Sequence, residues 1–317
     1  FHALMAPWVL HCGLGPESTY SGQMAKVIAF ALEAAGAPVV KGGAKNIITA
    51  FEQLIRDHGG EIRTNADVAE VTVDEAGRAT GVVLASGERI AAAEGVICSM
   101  TPNQLYGRLL KNWPGAAPQR AETRGFAYGK GNMQIHYALK APPQWKDPTL
   151  AKVALLHLTP GLDGVSRAVN EASPLMWRGA PEGQSILWLQ LPEAPRHIKG
   201  DAAGEIATPA DGQWNEAVRE AYADRIEAIL CRHIPEFKSL VLARRCYSPA
   251  DLEAMNVNLV GGDPYGGACT IDQFFLWRPL RGMKNHETPV KRLWQIGAST
   301  HPGPGLGGGS GFLLASS

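Results

Sequence analysis

Along the first sixty residues, apolar positions recur at helical rather than alternating spacing. Ser21–Ala35 is mostly apolar with little turn chemistry, which predicts a buried helix. A second helix is clearer: Ile47, Ile48, Phe51, Leu54 and Ile55 share one face, and Gly59-Gly60 supplies the left-handed cap. The period then shortens. Strand signals fall around Ile62, over Val68–Val73 and over 81–84, with hairpin turns at Glu75-Ala76-Gly77 and Ser86-Gly87. Residues 95–99 read as a short buried strand before a turn at Thr101-Pro102.

Alternation is strongest where Met133, Ile135, Tyr137 and Leu139 interleave with Gln134, His136 and Ala138, a half-buried strand. Residues 153–158 and 185–191 predict two more strands, and 192–213 an exposed loop rich in Pro, Gly and Asp. An amphipathic helix follows, with Val218, Tyr222, Ile226, Ile229 and Leu230 on one side and Pro235 as its stop. Ser248-Pro249-Ala250-Asp251 has the form of a capping box with proline at the first helical position. Residues 292–296 read as a strand and 311–317 as the first turns of an apolar helix. The fold class is α/β material of mixed order (α+β mixed), not a simple alternation, and no internal repeat is present.

Composition narrows the function classes. A chain of 317 residues corresponds to about two domains at ~150 residues each. Thirty basic against thirty acidic residues leave no excess charge with which to displace counterions from a nucleic acid. No apolar run is long enough to span a bilayer. Five cysteines, widely spaced and without a C-x-x-C pair, fit neither a disulfide framework nor a structural zinc site, and predict a reducing, cytoplasmic compartment. The histidines form no H-x-x-x-H pair, so a metal site is not expected. The chain opens on Phe1 without a secretory leader, and neither end reads as a native terminus.

The most unusual stretch is 297–311, Gly-Ala-Ser-Thr-His-Pro-Gly-Pro-Gly-Leu-Gly-Gly-Gly-Ser-Gly. A strand feeding such a turn into a helix start lets a ligand approach bare backbone, with unpaired N–H groups favouring negative charge. The plain alternative is a flexible glycine tail. Residues 303–308 also spell G-x-G-x-x-G, but a dinucleotide fingerprint needs a complete strand–turn–helix–strand unit and an acidic residue about 20 positions on. Here a proline occupies the tight turn and the sequence stops at Ser317, so a self-sufficient nucleotide-binding domain is not expected.

From Gly297-Ala298-Ser299-Thr300-His301-Pro302-Gly303 through Gly311, the chain resembles the C-terminal flavin-site signature of phytoene desaturase-like FAD-dependent oxidoreductases, within the carotenoid desaturase and amine oxidase superfamily. Two further stretches are similar to that family. One is Lys41-Gly42-Gly43 with the following helix, Val68, Val71, Gly77-Arg78, Gly81-Val82 and Gly87-Glu88. The other is Gly261-Gly262-Asp263 with Asp272-Gln273-Phe274-Phe275 and Arg278-Pro279. Pro304 and Gly307 depart from the family's pattern. The resemblance implies an incomplete two-domain fold: residues 41–102 and 286–317 in the FAD domain, 1–40 and 103–285 in a substrate domain of mixed or antiparallel sheet and helices. It also implies a missing N-terminal βαβ unit from the same protein as partner.

By the same resemblance, Val68, Gly297, Ala298, Thr300, His301, Gly305, Gly308 and Gly309 are the expected FAD contacts. Val68 reads equally as an ordinary strand valine. His301 is the one histidine inside a family motif and the candidate acid–base group, with turn packing as its alternative. Ser299 and Thr300 lack a G-x-S-x-G elbow, so acyl-enzyme chemistry is not expected. Arg278 reads either as a structural arginine or as one that positions cofactor or substrate. The implied activity is hydride transfer from a hydrophobic small molecule to FAD, with Trp188, Tyr137 and Phe275 as candidate tunnel residues and peripheral membrane association as a corollary. The competing class is a non-catalytic partner protein on the same fold, unable to bind FAD by itself.

Overall fold

The computed structural model describes residues 2–36, 38, 40–153, 156–157, 173–177, 183–274, 277–283, 286–305 and 308–317. In chain order the helices are α1 (His2–Leu10), α2 (Ser21–Ala35), α3 (Lys45–Asp57), α4 (Ala117–Glu122), α5 (Glu216–His233), α6 (Phe237–Leu240), α7 (Pro249–Met255) and α8 (Gly309–Ala315). The strands are β1 (Val68–Val73), β2 (Ala79–Leu84), β3 (Arg89–Ala91), β4 (Val96–Ser99), β5 (Gly131–Leu139), β6 (Ser173–Trp177), β7 (Ser185–Ala194), β8 (Val241–Tyr247) and β9 (Leu293–Ile296). Short 3-10 turns and one wide helical segment, Asn103–Leu109, join them. Helices and sheets are mixed, as the periodicities predict. By packing, the chain forms two compact units: residues 1–62 with 130–255, and residues 63–129 with 256–317.

The first unit is built on an antiparallel sheet in the order β6-β7-β5-β8. The alternation read from the sequence decides its faces: Met133, Ile135, Tyr137 and Leu139 are fully buried together with Leu187, Leu189 and Leu191. Helix α5 supplies Ala223, Ile226 and Leu230 to the same core, and Phe237 of α6 meets Tyr137 edge-on with centroids 4.9 Å apart. Asn215 caps α5 by accepting from the Val218 amide at 3.0 Å, and Arg232 and His233 lie in its last turn, where the helix dipole favours positive charge. The capping box forms as expected. The Ser248 amide donates to Asp251 Oδ2 at 2.8 Å, and the Asp251 amide donates to Ser248 Oγ at 3.3 Å.

Strand β8 escapes a reading by hydrophobic pattern because Arg244 and Arg245 sit at its centre. Arg244 is tolerated there because α5 answers it: its guanidinium donates to Asp224 at 2.7 Å and Glu220 at 2.8 Å. The expected strand over 153–158 lies mostly outside the described residues. Helix α2 exists with the predicted bounds but is not buried. It packs mainly on α1, only Ala25 is buried, and Phe30 is 72% exposed. Helix α3 likewise has its apolar face and its glycine cap, with Gly59 at φ 77°, yet Ile48 and Phe51 are 67% and 57% exposed. Periodicity fixes the stripe; burial needs a partner surface, and among the described residues none covers it.

The second unit holds the antiparallel meander β1-β2-β3 and a two-stranded parallel sheet, β4-β9. The strand expected around Ile62 does not form. The Ser86-Gly87 turn, with Gly87 at φ 89°, hands the chain directly to β3, whose residues 89–91 take the ladder positions opposite 81–83. Leu105, Tyr106 and Leu109 of the wide helical segment fill the core beneath Val71, Ala79, Cys98 and Leu293.

Candidate functional site

Strands β4 and β9 run parallel, with Ser99 opposite Ile296, so the chain leaves both at one end of the sheet. In open sheets of this kind, ligands bind beyond the carboxyl ends of the strands. From β9 the chain enters the glycine turn at that end. Gly297 adopts φ 97°, and a side chain there would bring Cβ to 2.9 Å from Ser99 Oγ. The turn is tied internally: the Thr300 amide and hydroxyl both donate to the Gly297 carbonyl, and the Gly303 amide donates to the Thr300 carbonyl. Ser310, the second residue of α8, accepts from the Gly297 amide at 2.9 Å and so closes the turn onto the strand end.

The expected site residues fall as follows. Gly297, Ala298, Thr300, His301 and Gly305 lie on one continuous turn, and Gly308 and Gly309 rejoin it through Ser310. Thr300 is buried, whereas His301, Gly305 and Gly308 are exposed. Among the described residues, a Cβ added at Gly305 or Gly308 would meet no atom within 4 Å, so bare backbone there faces open space. Leu306 and Gly307 lie outside the described residues. Helix α8 has seven residues, about two turns, so its dipole is small. Val68 is set apart at the start of β1, and its carbonyl accepts from Arg108 at 3.0 Å. Of the three proposed tunnel aromatics, Tyr137 is core, Trp188 pairs with His136 and so lies on the opposite face of the sheet, and Phe275 lies outside the described residues.

Sequence reading missed two supports, Gln295 and His286, and singled out a third, Arg278, without its partners. Gln295 is fully buried in β9; its side-chain amide nitrogen donates to the Met100 carbonyl at 2.9 Å while its Oε1 has no partner among the described residues. His286, also buried, shares a 3.2 Å hydrogen bond with the Gln295 carbonyl; burial pushes its pKa down, with nearby His301 adding to that. Arg278 is 3% exposed, and burial pushes its pKa below the ordinary arginine value. Arg278 Nε donates to the Ala298 carbonyl at 2.9 Å. Gln295 and His286 have no local signature, because each pairs with backbone outside its own element. Three of the thiols are poor nucleophiles: burial pushes Cys98 and Cys246 up to about 12 and Cys269 to about 11.

These residues fit one side of an extended aromatic cofactor: open space beside glycine backbone, an unmatched buried acceptor in Gln295 two residues upstream, and a turn held by internal hydrogen bonds. A phosphate-binding strand–turn–helix unit is not among the described residues. Two concavities among the described residues, of about 570 and 440 Å³, belong to the first unit, and neither is lined by a residue of this turn. No group of three metal-ligating side chains occurs among the described residues, and no helix among them is long and apolar enough to cross a membrane.

The chain is 27% identical over 296 residues to mouse (Mus musculus) "Pyridine nucleotide-disulfide oxidoreductase domain-containing protein 2", covering 86% of this chain and 49% of that protein. It is 26% identical to a neurosporene-forming phytoene desaturase of Cereibacter sphaeroides (86% and 52% covered) and 24% identical to a limonene dehydrogenase component of Castellaniella defragrans (99% and 60%). The chain thus spans about half the length of the curated relatives it matches. In fold it is similar to an oxidoreductase from Methanosarcina mazei, with a TM-score of 0.56 at 15% identity over 99% of this chain and 64% of the other. A putrescine oxidase variant gives a TM-score of 0.52 at 16% identity, over 87% and 52%. Residues 4–224, well over half of the chain, match the model of the flavin containing amine oxidoreductases, and the chain belongs to that family.

Proposed function

We propose that this chain forms part of an FAD-dependent oxidoreductase that withdraws a hydride equivalent from an apolar organic substrate. The observation that carries the reading is the Gly297–Gly309 turn at the carboxyl end of β4 and β9, with open space beside Gly305 and Gly308. Family membership supplies the flavin, and the names of the phytoene desaturase and limonene dehydrogenase relatives support a hydrocarbon-like substrate. When bound, FAD supplies the two-electron acceptor. The chain's own residues do the rest. Gly305 and Gly308 let backbone approach the cofactor, Thr300 and Ser310 fix the turn, and exposed His301 is the candidate to hold a proton there. In this reading residues 41–102 and 286–317 serve the cofactor, and 1–40 with most of 103–285 serve the substrate, Arg278 acting on the cofactor turn.

A two-stranded parallel sheet is short of the neighbours such sheets normally have on either side, which supports completion of the cofactor site by further polypeptide of the same protein. The test compares the natural full-length polypeptide with the 317-residue chain alone. The full protein should purify yellow with one FAD and bleach anaerobically with a suitable apolar substrate. The chain alone should bind FAD weakly or not at all. Tight stoichiometric binding by the chain alone would overturn the incomplete-site reading. A full-length protein that stays colourless and takes up no FAD would leave the non-catalytic partner reading in its place.

A further inference from the structure

Loop 263–269 of the second unit is held in an unusual way. Asp263 is fully buried, and its carboxylate accepts from the amides of Tyr265 at 2.8 Å, Gly267 at 2.9 Å and Gly129 at 2.8 Å. Arg278 takes the acceptors of the same loop, donating to the carbonyls of Tyr265 at 2.6 Å, Gly267 at 3.3 Å and Ala268 at 3.0 Å. Tyr265 and Gly267 are therefore gripped twice, at N–H by a buried anion and at C=O by a buried cation. The Arg278 guanidinium is met by these peptide carbonyls, and the Asp263 charge also favours its cationic form.

The fourth carbonyl on Arg278 is that of Ala298, inside the glycine turn. A second tie joins the same two segments: Ser299, 2% exposed, donates its hydroxyl to the Gly266 carbonyl at 2.6 Å. Gly266, at φ 65°, leaves only 2.9 Å between a would-be Cβ and Ser299 Oγ, so the segments are in contact without room for a side chain. The planar fork of arginine reaches several carbonyls of fixed direction at once, which a lysine ammonium cannot reproduce. We propose that Arg278, backed by Asp263 and Ser299, is a positioning residue that holds the Gly297–Thr300 turn in its flavin-receiving shape. The inference rests on the flavin reading above and adds to it the device that keeps the turn preformed.

The test uses the full-length holoprotein with Arg278→Ala, Arg278→Lys and Ser299→Ala, measuring flavin affinity, the visible spectrum of the bound flavin and the melting temperature of the apo form. Arg278→Ala and Arg278→Lys should each bind flavin about 10-fold or more weakly, with an altered visible band. Guanidinium chloride at low, non-denaturing concentration should restore both in Arg278→Ala and not in Arg278→Lys. Ser299→Ala, which leaves the charge in place, should give a smaller loss in the same direction; it decides the matter alone should the arginine variants not fold. Variants that melt lower but bind flavin with wild-type affinity and spectrum would overturn the proposal and leave Arg278 a plain structural residue. A wild-type protein without flavin would overturn the flavin reading itself, a separate outcome.

Discussion

Gly308 offers the sharpest separation between a glycine kept for the chain and one kept for a ligand. It sits at φ 63°, ψ 18°, and a Cβ there meets nothing within 4 Å among the described residues. In the protein alone, replacement therefore costs only the left-handed backbone, about 1–2 kcal/mol for alanine and somewhat more for β-branched valine. At roughly 2–4 °C per kcal/mol for a unit of this size, Gly308→Ala should lower the apo melting temperature by about 2–8 °C. If flavin fills the space beside Gly308, valine places three carbons where the cofactor must lie. A 100-fold loss of affinity, about 2.7 kcal/mol, is then the modest expectation. Gly303 is the control: at φ 105°, its Cβ would already strike the Phe274 ring at 2.9 Å, so Gly303→Ala should hurt folding first. The assay is flavin-to-protein ratio beside apo melting temperature, because bound flavin would itself raise the holo value. An unchanged ratio in Gly308→Val would refute the assignment of this turn to the flavin.

Other expectations follow from the first unit and the C-terminus. Leu230→Ala, at a fully buried position against the sheet, should cost about 2–5 kcal/mol, read from denaturant midpoints at constant slope. Ser248→Ala removes the α7 cap and the 2.7 Å bond to Asp251 and should cost about 1 kcal/mol by the same measurement; a change near zero would mean that Pro249 alone starts the helix. His157 Nε2 shares a 2.9 Å hydrogen bond with His11 Nε2, and burial, then His11, pushes the His157 pKa down to about 4. Because the folded value lies below the ordinary 6.5, its contribution to stability is present above pH 6.5 and is lost as pH falls toward about 4. A His157→Gln variant should flatten that part of the stability profile, and an identical profile would refute it. Hydrogen exchange should be fast across α8, where Phe312 is 72% exposed, and slow across β5; strong protection at Leu313 and Leu314 would contradict this.

What the sequence disclosed and what it withheld have physical causes. Strand β5 and helix α5 were legible because each buries one complete face, and burial of one face is what writes a period into a chain. The capping box and the glycine turn were legible because their partners are neighbours in sequence. Strand β8 was not, since its central arginine is answered by acids on α5, and β3 was not, since three residues carry no period. Burial of α2 was misjudged from apolar content, which says what a helix would cover but not whether anything covers it. At the site, the turn could be read directly, whereas Gln295, His286 and the Asp263–Arg278 grip could not. Buried polar groups announce themselves only once their distant partners are in place.

The β4–β9 pair has a consequence for handling the protein. Among the described residues β4 has no strand on its outer side, and Ile97 stands 57% exposed on it. An open strand edge of this kind is a template on which any extended segment can add, including the same edge of another copy. Preparations of the chain alone should therefore associate as concentration rises. Charged substitutions at Ile97 are the natural first step toward a well-behaved monomer, because natural sheets blunt their own edges in that way.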